Sequence, residues 1–322
     1  MAADVGSPGG VLGVGIATLD IINRVVAYPP EDAEVRAEGQ RCVRGGNCAN
    51  TLDVLAQLGH RCAWVGVLAG DSGADFIAAD FAGRGIDARH ALRLPGGATP
   101  TSYIALSRAT GSRTIVHHRD LPELSAEHFA RVPLAGWSWV HFEGRSPAAT
   151  AQMIARVRRE RPDLPISVEI EKPRDGIEAL FTGADLVIFA RAYVEALSAT
   201  PEPDPTAWLG RLAARTDARL CLLPWGAAGA YGLASGGADP VLAPAHPPAL
   251  LRDSLAAGDV FNAAVIDGLL DMGLDAAVTD AGLAALLMRA NRLAGFKCAR
   301  DGLDGLAAAA REAGVIAHRG GA

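Results

Sequence analysis

Asp253-Ser254-Leu255-Ala256-Ala257-Gly258-Asp259-Val260-Phe261-Asn262-Ala263-Ala264 sets a carboxylate, Asp259, directly behind a run of residues without bulky side chains. Phe261, Val265 and Leu269 follow at helical spacing, which predicts that a helix begins here. The first N–H groups of a helix have no acceptor within it, and with the positive end of the dipole they form an anion site. A carboxylate beside an anion site suits phosphoryl transfer. The acid accepts the proton of an attacking hydroxyl while the N–H groups hold the charge of the group in flight. An Asp in the first turn also serves simply to offset the dipole, so the motif needs a partner elsewhere in the chain.

Upstream, strand-like apolar runs alternate with helical patterns. Strands are expected at Val11–Ile16, Cys62–Leu68, Trp137–Phe142, Ile166–Ile170, Leu186–Phe189 and Leu220–Leu223. Helices are expected at Cys48–Leu58, Ala74–Phe81, Ala148–Arg159 and Trp208–Arg215. Strands separated by helices imply right-handed crossovers and a mainly parallel sheet covered on both faces, an α/β fold. From Val260 to about Glu312 the pattern is nearly all helical. Glu34–Val43 and Thr101–His117 break the rhythm, the latter as a hairpin turning at Arg108–Gly111. A small antiparallel sheet beside an α/β core reads as a lid, with strands drawn from about 21–44 and 99–119. Without repeats, linkers or composition breaks, 11–310 reads as one domain, with 1–10 and 311–322 as loose tails.

Composition agrees. Of 322 residues, 50% are hydrophobic and only 5% aromatic, which suits a helix-rich α/β enzyme. A net charge of −6 with dispersed basic residues argues against a nucleic-acid partner. Cys42, Cys48, Cys62, Cys221 and Cys298 are odd in number and hold no CxxC pair, which points to a reducing compartment. The start has no basic, apolar leader, and no run reaches membrane-spanning length. A soluble, cytoplasmic protein with no membrane partner is expected.

Gly13-Val14-Gly15-Ile16-Ala17-Thr18 begins like a dinucleotide fingerprint but lacks its third glycine, and no G-x-x-x-x-G-K-[ST] is present. A nicotinamide-dependent oxidoreductase is therefore a weak alternative, and a P-loop enzyme is excluded. The partner motif is Arg44-Gly45-Gly46-Asn47-Cys48-Ala49-Asn50. Paired glycines allow positive φ and close approach of backbone to ligand. Asn47 and Asn50, three apart at a helix start, project on one side. With Asp20 they supply the mixed donors and acceptors that a polyhydroxylated ligand needs, although Asn47 could serve only as a helix cap.

An early Gly-Gly-Asn loop and a late Ala-Gly-Asp helix start resemble the ribokinase-like (PfkB-type) carbohydrate kinases, over roughly Val11 to Leu306. Within that family the chain is similar to the ketohexokinase branch, which phosphorylates fructose at O1. Arg44–Asn50, Gly111-Ser112-Arg113-Thr114-Ile115-Val116, His141-Phe142-Glu143-Gly144-Arg145, Val168-Glu169-Ile170-Glu171-Lys172-Pro173-Arg174 and Gly295-Phe296-Lys297-Cys298 carry that likeness. The resemblance implies a three-layer α/β/α ribokinase-like core with a β-sheet lid. It makes Asp259 the base and the N–H groups of Ala257, Gly258 and Asp259 the anion hole. Asp20, Gly46, Asn47, Asn50, Ser112 and Glu143 would meet the sugar. Arg113 on the lid and Lys172 would reach the phosphates, a role for which a planar guanidinium is effective. Trp225, Gly226, Ala227, Gly229 and Pro247, with Phe261 and Asn291 nearby, would wall the nucleotide pocket. ATP and Mg²⁺ are the implied cofactors, K⁺ is a further one the family allows, and a homodimer through the lid strands is the implied assembly.

Departures bear on these roles. The family's Gly-Ala-Gly-Asp reads Ala256-Ala257-Gly258-Asp259, harmful only if φ at Ala256 is positive. Ser112 replaces an Asn that faces the sugar in that branch. The family's Asn-x-x-Glu reads Ala190-Arg191-Ala192-Tyr193, so no metal ligand is assigned. His117 and His118 read as lid surface, and Cys298 as a packed helix thiol. The expected reaction is in-line attack of a primary hydroxyl on the γ-phosphorus under a closed lid. Another sugar, a keto-deoxy sugar acid or a nucleoside are alternative acceptors, and a catalytically silent ligand sensor is the alternative of another class.

Overall fold

The computed structural model describes residues 10–317. In chain order the strands are β1 (Gly10–Val14), β2 (Thr18–Val25), β3 (Gly39–Gly45), β4 (Arg61–Val65), β5 (Val67–Leu68), β6 (Leu92–Arg93), β7 (Thr101–Ser107), β8 (Arg113–His118), β9 (Trp139–Glu143), β10 (Ile166–Ile170), β11 (Leu186–Phe189), β12 (Leu220–Pro224), β13 (Ala230–Ala234) and β14 (Val241–Ala243). The helices are α1 (Asn47–Gln57), α2 (Ser72–Gly83), α3 (Ala126–Phe129), α4 (Pro147–Glu160), α5 (Arg191–Leu197), α6 (Pro205–Ala213), α7 (Ala257–Met272), α8 (Leu274–Ala277), α9 (Asp280–Cys298) and α10 (Leu306–Glu312).

The main sheet runs β14-β13-β12-β11-β10-β9-β1-β4. Pairing from β12 through to β4 is parallel, and β13 and β14 close one edge antiparallel. The expected α/β fold with a mainly parallel sheet is thus present. Strands such as Leu186–Phe189 are apolar throughout because helices cover both faces. Three polar groups of the core meet one another: Ser167 Oγ accepts from Trp139 Nε1 at 2.8 Å and meets His141 Nδ1 at 2.9 Å. Burial lowers the His141 pKa to about 4, so that ring is neutral.

The order of the sheet decides where a ligand can sit. From β1 the chain moves to β4 on one side and later to β9 on the other. That reversal opens a crevice at the carboxyl ends of β1 and β9. Over it lies the second sheet, β3-β2-β7-β8, in which only the β2–β7 pairing is parallel. This is the expected lid, with two differences. It begins at Thr18, ahead of the expected 21, so Asp20 lies within a lid strand. Residues 34–38 are irregular, and the strand expected from Glu34 starts at Gly39.

Residues 1–9 and 318–322, expected to be tails, lie outside the described residues. Gly10 is already buried in β1, α10 runs to Glu312, and Val315 and Ile316 pack on the core. Among the described residues no helix is long and apolar enough to cross a membrane.

Candidate active site

A cavity of 1170 Å³ lies between the lid and the carboxyl ends of the parallel strands. Its floor is the start of α7, a helix packed against both α1 and α9. Ala256 caps that helix in the left-handed region (φ 60°, ψ 10°). The glycine that the motif lacks is therefore missing where a Cβ is costly, by about 1–2 kcal/mol. The turn aims backbone donors at the cavity. The N–H groups of Gly258 and Asp259 meet no acceptor among the described residues, while Ala257 N–H, expected to join them, turns back to Ser254 O at 3.4 Å.

Asp259 is 5% exposed. Burial, reinforced by the nearby carboxylates of Glu143 and Glu171, raises its pKa to about 7, against the pull of Asn50 and Lys297. Asn50 Nδ2 donates to Asp259 Oδ2 at 2.8 Å, and Asn50 Oδ1 in turn accepts from Arg44 at 3.0 Å. Asn50, expected on the sugar, lines the cavity, and its amide is engaged by Asp259 and Arg44. Arg44 is itself locked by Asp80 at 2.6 Å and Asp53 at 3.0 Å. A carboxylate poised near neutrality and held from behind suits proton abstraction from an alcohol.

The other residues expected on the sugar come from several elements. Asp20 on β2 accepts from Thr18 Oγ1 at 2.7 Å, and burial raises its pKa. Gly46 caps α1 at φ 103°, and a Cβ there would strike Ile16 O, so only glycine fits. Asn47 is thus not the cap; its Nδ2 donates to Glu169 Oε2 at 3.3 Å. Glu143, at the end of β9, accepts from Ile16 N–H at 3.0 Å and pairs with Arg145 at 3.3 Å. Glu169 is buried beside Asp259 and Glu143, and burial before charge pushes its pKa well up. Ser112 departs from expectation. It sits in the exposed lid turn bonded to Tyr28 at 2.9 Å and Thr110 at 2.7 Å, outside the cavity wall. His117, read as lid surface, is exposed on β8 and also lines the cavity, with its Nδ1 3.2 Å from Ser102 Oγ.

On the other side of Asp259 stand the nucleotide candidates. Arg113 reaches Ser254 Oγ at 3.1 Å, and Lys172 lies 3.4 Å from Glu171. Gly226, Ala227, Gly229, Pro247, Phe261 and Asn291 line the cavity, and Asn291 Nδ2 donates to the carbonyls of Ala243 and Pro244 at 3.0 and 2.9 Å. Trp225 does not line it. The ring is buried in the core beneath the Arg191 guanidinium, 5.2 Å away. Cys298 lines the cavity too, and burial raises its pKa, so the thiol is not activated. Among the described residues no group of three or more His, Cys, Asp or Glu is placed to hold a metal ion.

Sequence reasoning passed over Arg44, Asp253 and Lys297 as site residues. Lys297 had a signal: it follows Ala290 and Leu293 at helical spacing on a buried face.

A buried carboxylate at a helix N-terminus, facing a lidded cavity at the switch point of a parallel sheet, is an arrangement suited to phosphoryl transfer to an alcohol. Residues 11–307 match the pfkB family carbohydrate kinase. The chain is 35% identical to ketohexokinase of Mus musculus over 303 residues, 92% of this chain and 98% of that one. Ribokinase from Giardia lamblia shares the fold with a TM-score of 0.78 at 15% identity, covering 94% of this chain and 96% of that one. Arabidopsis thaliana ribokinase, complexed with ribose and ATP, has a TM-score of 0.72 at 18% identity, covering 92% and 94%. The chain belongs to the pfkB family of carbohydrate kinases, phosphotransferases that act on a sugar hydroxyl and use ATP.

Proposed function

We propose that this kinase transfers the γ-phosphoryl group of ATP to the O1 hydroxyl of D-fructose or a related ketose, with Asp259 as general base. One observation carries the mechanism: a buried Asp259, poised near pH 7, adjoins the open N–H groups of Gly258 and Asp259. The 35% identity to mouse ketohexokinase supports the choice of a ketose.

The sugar lies beneath the lid against Asp20, Asn47 and the Gly46 turn. Asp259 removes the proton of the primary hydroxyl as its oxygen attacks the γ-phosphorus in line and ADP leaves. The N–H groups at the α7 start and Arg113 hold the equatorial charge. Mg²⁺ is bound mostly by phosphate and water with one or two carboxylates. Glu171, which lines the cavity, offers one carboxylate that fits that need. When bound, the ion neutralises charge on the phosphates. With Ser112 turned away, selectivity among ketoses rests on Asp20, Asn47 and His117. Arg145 is committed to Glu143 and Glu123, which favours a neutral sugar over a sugar acid.

The lid's outer strand β8 leaves Ile115 and Val116 exposed, which supports a homodimer through the lid. Five free cysteines support a cytoplasmic setting.

The test is ADP release from ATP–Mg²⁺ across ketoses, aldoses, sugar acids and nucleosides, with Asp259→Asn as control and product NMR to locate the phosphate. Turnover on fructose that survives Asp259→Asn rejects the base. Turnover on another acceptor alone rejects the ketose.

A further inference from the structure

The end of α9 carries a charge that phosphoryl transfer, as described above, leaves unused. Lys297 is wholly buried, a costly place for an ammonium without partners. Its Nζ donates to Asp253 O at 2.8 Å and lies 3.3 Å from Asp253 Oδ2. Asp253 is wholly buried too, and its carboxylate also accepts from Leu255 N–H at 2.9 Å, Gly302 N–H at 3.0 Å and Arg41 of lid strand β3 at 2.5 Å. The N–H groups of Arg252 and Asp253 both reach Cys298 O, at 2.8 and 3.2 Å. Ser254, Leu255 and Ala256 alone separate this anchor from Ala257, the first residue of α7. Ala256 is the strained one, and such a conformation persists only where its surroundings over-determine it.

A purely structural ion pair is the competing explanation, since buried pairs are often replaceable by apolar residues. Two observations separate the cases. Asp253 and Lys297 line the same cavity as Asp259. Lys297 is also a positive charge acting on Asp259, opposing Glu143 of β9, Glu169 of β10 and Glu171 just beyond it, while Asn50 of α1 donates to it and the Cys48 thiol, also of α1, stays protonated.

We propose that the Lys297–Asp253 pair is the strut that sets the anion-binding turn beside Asp259, which makes Lys297 a positioning residue for phosphoryl transfer. The proposal rests on the kinase reading above and deepens it. Arg41 extends the strut to the lid, so lid placement and the shape of the turn are coupled through one carboxylate.

The experiment compares wild type and Lys297→Met as full chains, by steady-state kinetics over pH and by hydrogen exchange of the Leu255–Asp259 amides. Wild-type turnover that Asp259→Asn abolishes tests the kinase reading by itself. The exchange measurement reads the strut whether or not the chain turns over. In Lys297→Met we expect kcat to fall about 100-fold, with the sugar KM within about threefold. The acid limb of kcat/KM should move up by about one pH unit, and the turn amides should exchange faster. An unmoved acid limb or unchanged exchange overturns the proposal. If Lys297→Met does not fold, Asp253→Asn/Lys297→Met, which leaves no unpaired buried charge in the pair, takes its place. A folded double variant with the same loss of kcat supports the strut. Wild-type kcat, or failure to fold in both variants, marks the pair as a folding element only and overturns it.

Discussion

Replacing Asn50 with Ala removes the 2.8 Å hydrogen bond that favours the charged form of Asp259. A hydrogen bond to a charged group contributes about 1.5–3 kcal/mol, and about 1.36 kcal/mol corresponds to one pH unit of pKa. The base, at about 7 in the intact protein, should therefore titrate one to two units higher, at about 8–9. The sign follows from the mechanism: only the ionised carboxylate accepts a proton, so activity is lost as pH falls through the pKa. At pH 7 the ionised fraction drops from about a half to roughly 1–10%, and kcat/KM should fall about 5- to 50-fold. At pH 9.5 the variant should return to within about twofold of wild type. Arg44 loses one acceptor but keeps Asp53 and Asp80, so the fold should hold. ADP release followed from pH 5.5 to 10 measures the limb directly. A loss of the same proportion at every pH would refute the reasoning and make Asn50 a sugar contact instead.

Three further perturbations test other parts of the site. Asp259→Asn should stabilise the fold at high pH. A folded pKa raised from 3.8 to about 7 contributes stability below 3.8 that is lost as pH rises through about 7. Urea unfolding should show the variant more stable by about 2–4 kcal/mol at pH 8 and equal to wild type near pH 4; equal stability at pH 8 counts against burial as the cause. Ala256→Gly relieves the positive φ and should add about 1 kcal/mol, read in a thermal melt as a rise of about 1–2 °C. A lowered midpoint would mean that the turn does not strain Ala256. Gly46→Ala drives a Cβ into Ile16 O at φ 103° and should cost about 2–3 kcal/mol while raising the sugar KM, with calorimetry and kinetics as checks.

Sheet strand β11 was legible to the residue because a strand buried on both faces is apolar end to end, and β10 was legible from Ile166, Val168 and Ile170 alternating with Ser167 and Glu169. The helix starts at Asn47 and Ala257 were legible because small residues and glycines precede periodic apolar runs. The antiparallel strands β13 and β14 were not. Ala230–Ala234 alternates buried and half-buried positions over only five residues, too little pattern to stand out. Trp225 was misplaced for a related reason: an aromatic beside a glycine loop can face ligand or core, and only the packing under Arg191 chooses.

By itself the sequence determined the α/β class, the two glycine-bearing motifs and the carboxylate that faces the anion site, since these depend on short-range chemistry along the chain. The tertiary structure alone decided how those groups are tuned. Asp259 meets Asn50 across 209 positions, Asp253 meets Arg41 across 212, and Lys297 lies 44 from its carbonyl. Pairings at such separations follow from sheet order and helix packing, and pKa follows from burial, which no local pattern encodes.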